Sequence, residues 1–95
     1  MPATATEEKP ALVLPIVHLN GTSAEELLRL RQDAHSALDK AVVALQQMAP
    51  NGRDYYLESG RFEEALAQHE WRLIALTEIM EEIAAESEEI VKFCA

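Results

Sequence analysis

In the second half of the chain, Phe62, Leu66, His69, Leu73, Leu76, Met80, Ile83, Ser87, Ile90 and Cys94 recur in unbroken four-three alternation. A stripe of this period is a helical seam, and sustained over more than four heptads it demands a partner helix along its whole length. It predicts a helix over about residues 61–93, roughly 48 Å long at 1.5 Å per residue. Ser59 or Gly60 would cap it, and with Gly60 as the cap, Glu63 stands where a capping box needs its acid.

The partner lies upstream. Thr22-Ser23-Ala24-Glu25-Glu26 joins hydroxyls that cap free amides to carboxylates that suit the positive end of a helix. Leu27, Ala34, Leu38, Ala41, Leu45 and Met48 then share one stripe, with Arg31 in its single polar slot. Pro50 stops the helix, giving a first helix over about 23–49 and a tip over 50–60. With Met48 set opposite Phe62, His69 faces Ala41 or Val42, and Arg72 faces Leu38 or Asp39 and could pair with Asp39.

Before the helices, residues 1–10 read as a flexible tail and 11–21 as an extended apolar arm in which Pro15 forbids a helix. A lone strand is not stable, so the arm must lie on the hairpin or pair with its copy. Asn20-Gly21 is a turn signal. Residues 22–95 form the hairpin itself.

A hairpin this small has one internal seam, yet Leu28, Leu30, Val42 and Val43 on one helix and Trp71, Ile74, Ile79 and Val91 on the other remain off it. The expected fold is therefore all-α: a long antiparallel hairpin with an extended arm, oligomerising into a four-helix-type bundle, a homodimer in its simplest form.

A formal net charge of −9 repels the phosphate backbone and argues against ordinary nucleic-acid binding. Six acids and no base stand between Leu73 and Val91 (Glu78, Glu81, Glu82, Glu86, Glu88 and Glu89), either a solvated face or a surface that docks on a basic groove or imitates phosphate spacing. No apolar run nears the roughly 20 residues that span a bilayer. The lone Cys94 and an acidic N-terminal stretch without a signal-peptide pattern suit a cytoplasmic protein.

No catalytic, metal or cofactor set emerges. His35 and Asp39 lack further ligands at helical spacing, the residue three before His69 is Leu66 rather than glutamate, and Cys94 has only Lys92 for a basic neighbour. His69 at a seam position is either a hydrogen-bonded core imidazole or part of a ligand site or pH-sensitive core. The tip holds more than a turn requires. Asn51-Gly52 suffices to turn, leaving Arg53, Tyr55 and Tyr56 to stack a flat ligand or hold an anion, or else to plug the end of the bundle.

The segments His18-Leu19-Asn20-Gly21-Thr22 and Asn51-Gly52-Arg53-Asp54-Tyr55-Tyr56, with His69 and Arg72, span about Ile16 to Leu76. Together they resemble a group of short uncharacterised proteins encoded by tailed bacteriophages and prophages. The resemblance implies action inside a bacterial cell and no particular reaction. His18 and Asn20 precede the first helix while Arg53 and the tyrosines follow it, so one chain cannot unite them; two hairpins packed in opposite directions could. Two functions follow as expectations: a non-enzymatic oligomeric module binding a bacterial or phage protein, or a binder of a nucleotide or immune signal with Arg53, Tyr55, Tyr56, His18 and Asn20 as contacts.

Overall fold

The computed structural model describes residues 9–94; most of the tail expected over residues 1–10 lies outside them. Two helices, α1 (Ala24–Gln46) and α2 (Arg61–Ile90), pack antiparallel as a hairpin. A single 3₁₀ turn (Gly52–Asp54) lies in the tip, and another (Val91–Phe93) extends α2. The molecule measures 62 × 32 × 16 Å with a radius of gyration of 18.6 Å, against about 12 Å for a compact domain of this length. It is one layer of two helices.

Ser23 caps α1, its hydroxyl accepting from the Glu26 amide at 3.1 Å. The return half of the capping box is not made: the Glu26 carboxylate turns forward and accepts from the Arg29 guanidinium, which also bonds Asp33 at 2.9 Å. This hydrogen bond from Arg29 holds the Glu26 carboxyl below its usual range. α1 ends in a tightened turn, with Met48 N–H donating to Leu45 O at 2.9 Å and Ala49 N–H to Gln46 O at 3.2 Å, before Pro50. α2 starts at Gly60, whose φ of 81° is left-handed backbone that glycine adopts without a Cβ penalty. No side chain caps this end.

Every position of the α2 stripe from Phe62 to Cys94 is at least half-buried. On α1 the buried line differs from the expected one. Ala24, Leu28, Arg31, His35, Leu38, Val42 and Leu45 turn inward, whereas Ala34, Ala41 and Met48 are exposed. The helix carries two overlapping heptads one residue apart, and the seam takes the bulkier side chains at 35 and 42, where the other heptad has alanine. What remains outside is a second unbroken stripe: Leu27, Leu30, Ala34, Ala37, Ala41, Ala44 and Met48, all exposed except half-buried Leu27.

The register also departs from expectation, by about one heptad. Arg31 Nε donates to Glu86 Oε1 at 2.7 Å across the seam. Further along, His35, Asp39 and Val42 line one cleft with Thr77, Met80, Glu81 and Ala84, and antiparallel order then sets Val42 level with about Thr77, Asp39 with Met80 and His35 with Ala84. Gln46 is thus level with about residue 72, and α2 overruns α1 by roughly 16 Å at 1.5 Å per residue. The tip, residues 47–60, takes up this overrun instead of turning between helix ends set level.

The pairing of Arg72 with Asp39 is accordingly absent. Both are exposed, and among the described residues neither side chain has a hydrogen bond or ion pair, because the shifted register sets Asp39 level with about Met80, eight residues past Arg72.

Candidate functional site

The tip is built on a short hydrogen-bonded scaffold. Asp54 N–H donates to Asn51 O at 3.3 Å, Tyr55 N–H to Gly52 O at 3.1 Å, and Asn51 Nδ2 to Asp54 Oδ2 at 3.2 Å. The two tyrosines part company. Tyr55 is half-buried with its ring centroid 6.3 Å from that of Phe62, so it packs over the free first turn of α2. Tyr56 is 75% exposed. A cleft of about 240 Å³ is lined by Asp54, Tyr55, Leu57, Glu58 and Arg61, with Arg61 hydrogen-bonded to Glu58. Arg53 and Tyr56 do not line it, and Arg53 has no acidic partner among the described residues.

His18 and Asn20 sit at the other end of α1, about 35 Å away by helix rise. They form a tight turn in which Gly21 N–H donates to His18 O at 3.1 Å. The His18 imidazole folds over Gly21, where an added Cβ would fall 2.7 Å from Nε2. The five residues proposed as one site therefore form two separate clusters in one chain.

His69 is 7% exposed and lies beyond the end of α1, level with the tip. Its imidazole makes no hydrogen bond among the described residues, where no side-chain nitrogen or oxygen is left wholly enclosed without a partner. It is a packing residue.

No protein-family model, curated protein or solved structure matches this chain. Function has to be argued from its own surface.

That surface has two broad faces. On one, shallow clefts of about 330 and 300 Å³ run between the helices, the first lined by His35, Asp39, Val42, Thr77, Met80, Glu81 and Ala84, the second by Gln32, His35, Ser36, Ala84 and Ser87. Although His35, Asp39 and Glu81 share a cleft, no group of three potential metal ligands converges among the described residues. The opposite face carries the second α1 stripe, flanked on α2 by Arg72, Ala75 and Ile79, and is dominated by apolar side chains.

The arm runs without helix or strand over 9–18, against the outer side of α2. A cleft of about 530 Å³ separates Lys9 to Val13 from Glu78, Glu81, Glu82, Ala85 and Glu86. Lys9 Nζ lies 2.6 Å from Glu82 Oε2, and the hydrogen bond and charge of that carboxylate raise the Lys9 pKa. The acidic run is thus relieved by bases from elsewhere in the chain: Lys9 on Glu82, Arg31 on Glu86 and Lys92 on Glu89 at 3.0 Å. Sequence reasoning missed the Arg31 pair, whose signal was a lone charge in an apolar seam. Among the described residues, no helix is long and apolar enough to cross a membrane.

Proposed function

We propose that this chain is a non-enzymatic interaction module of phage or prophage type, acting in the bacterial cytoplasm, whose core is completed only by association, first of all with a second copy. One observation carries the reading: among the described residues the buried apolar side chains are Ala24 and Ile90 alone. Meanwhile Leu30, Met48, Trp71, Ile74 and Ile79 stand exposed on the helices. Two helices in one layer cannot enclose these side chains, and a bundle of four can. A surface this apolar on so small a chain marks an interaction site. A bacterial or phage protein presenting an apolar helix could use the same surface.

The test is the concentration dependence of melting. Association stabilises by mass action, so a roughly hundredfold rise in protein concentration should add about 2.7 kcal/mol and raise Tm. A Tm that does not move with concentration contradicts the reading.

A second reading, binding of a nucleotide or similar anionic signal, is favoured by Arg53, which has no acidic partner among the described residues and shares the tip with exposed Tyr56. A nucleotide bound there at 100 times its Kd would stabilise by about 2.7 kcal/mol. A nucleotide panel that leaves Tm unchanged removes it.

A further inference from the structure

The apolar face has a definite length and a definite charge gradient. On α1 the stripe from Leu27 to Met48 is uncharged and large at its ends, with alanine at 34, 37, 41 and 44. On α2 the same flank reads Arg72, Ala75, Ile79, Glu82, Glu86 at three-four spacing, passing from basic through apolar to acidic. Among the described residues Arg72 has no acidic partner.

A strip one helix wide and about 32 Å long offers a pair of copies only about 640 Å² in total, taking a helix as roughly 10 Å across. Specific interfaces start near 1,200 Å², so both helices of the face must take part. A face two helices wide reaches that size.

Two copies can meet on this face with like helices antiparallel or with like helices parallel. The parallel sense lays each α2 flank on the uncharged α1 stripe of the other copy and leaves Arg72 without an acid. The antiparallel sense sets the basic end of each α2 flank against the acidic end of the other. Centred on Ile79, it opposes Arg72 to Glu86, a carboxylate already held by Arg31, and Ile79 to itself. The intrachain register places α1 residue 39 level with Ile79–Met80, so the same axis opposes Leu30 to Met48, Ala34 to Ala44 and Ala37 to Ala41. Large side chains meet at the rim and alanines meet at the centre, where small residues let helix axes approach to about 8 Å. One axis thus satisfies both helices.

We infer that the occupant of this face is a second copy of the chain, packed antiparallel about a two-fold axis beside Ile79 and between Ala37 and Ala41, with Arg72 of each copy facing the acidic half of the other's α2. The inference rests on the self-association proposed above and specifies its geometry. It also brings the Arg53 to Tyr56 tip of one copy level with the His18 to Asn20 turn of the other, so the two clusters that α1 separates within one chain meet between chains.

Cysteine cross-linking in full-length chain carrying Cys94→Ser tests it, after sedimentation has established the mass. Ile79→Cys should form a disulfide-linked dimer by itself. Ala34→Cys should not, since the two copies of that position lie about 15 Å apart along the helix axis, beyond the reach of a disulfide; mixed with Ala44→Cys it should cross-link. A dimer in which Ala34→Cys links to itself has another register and overturns the inference. So does a dimer in which neither Ile79→Cys nor the mixed pair links, because another face is then covered. A monomer by sedimentation removes the self-association reading and this register with it.

Discussion

Among the described residues the Arg31–Glu86 pair is the one charged contact across the hairpin seam, and its loss has a calculable cost. The side chains are 24% and 21% exposed and the Nε–Oε1 distance is 2.7 Å. Arg31 Nη1 also donates to Leu27 O at 3.1 Å. Unit charges about 4 Å apart attract by about 4 kcal/mol at an effective dielectric constant of 20. Desolvating both groups offsets much of this, and the remaining water contact screens more. A net coupling of about 1–2 kcal/mol remains, between the values of exposed and fully buried pairs. Arg31→Met removes the charge and keeps most of the stem, while Glu86→Gln removes the acceptor charge and keeps the shape. Urea unfolding of both single variants and the double variant gives the coupling directly. Each single variant should lose about 1–2 kcal/mol, and the double variant clearly less than the sum. Losses that add to within about 0.4 kcal/mol show the residues to be independent, and the register deduced from their contact would then be wrong.

Three local features give further expectations. Ser23→Ala leaves the Glu26 amide without its acceptor and should cost about 1 kcal/mol of stability in the same urea assay, with Ser23→Asp largely restoring it. Gly60→Ala should cost about 1 kcal/mol although the new methyl group would touch nothing within 4 Å, because the penalty lies in the left-handed backbone; an unchanged urea midpoint would place Gly60 in ordinary helical or extended backbone. The Glu26 carboxyl should titrate below the usual glutamate range because Arg29 donates to it. With its folded pKa depressed, its contribution to stability is present above the unfolded pKa and is lost as pH falls through the folded one. Arg29→Ala should move the Glu26 NMR titration midpoint up towards that of a free glutamate.

The α2 seam was legible because one residue type dominates one period: the stripe from Phe62 to Cys94 admits no second reading, and every member is at least half-buried. The α1 seam was not, since two candidate stripes run one residue apart, through 27, 34 and 41 and through 28, 35 and 42, and periodicity cannot say which of them turns inward. Side-chain bulk decides it, and only against the facing helix. The register was hidden for a related reason. Pro50 marks where α1 must stop, but nothing in Asn51 to Gly60 shows that the tip accompanies α2 for several turns before joining it. The ring contact of Tyr55 with Phe62 holds the two together there. That shift separates Asp39 from Arg72 and brings Arg31 to Glu86. At the tip, residue types suggested one cluster of Arg53, Tyr55 and Tyr56, whereas the 3₁₀ turn sends consecutive tyrosines to opposite environments.

On the proposed reading, a single hairpin is an unfinished core. Sedimentation equilibrium of the full chain tests this directly. A chain of 10.6 kDa is expected to sediment at twice that mass, dissociating only on strong dilution and then losing helical circular dichroism together with its partner. A species that stays at 10.6 kDa up to high concentration, and melts cooperatively as such, contradicts it.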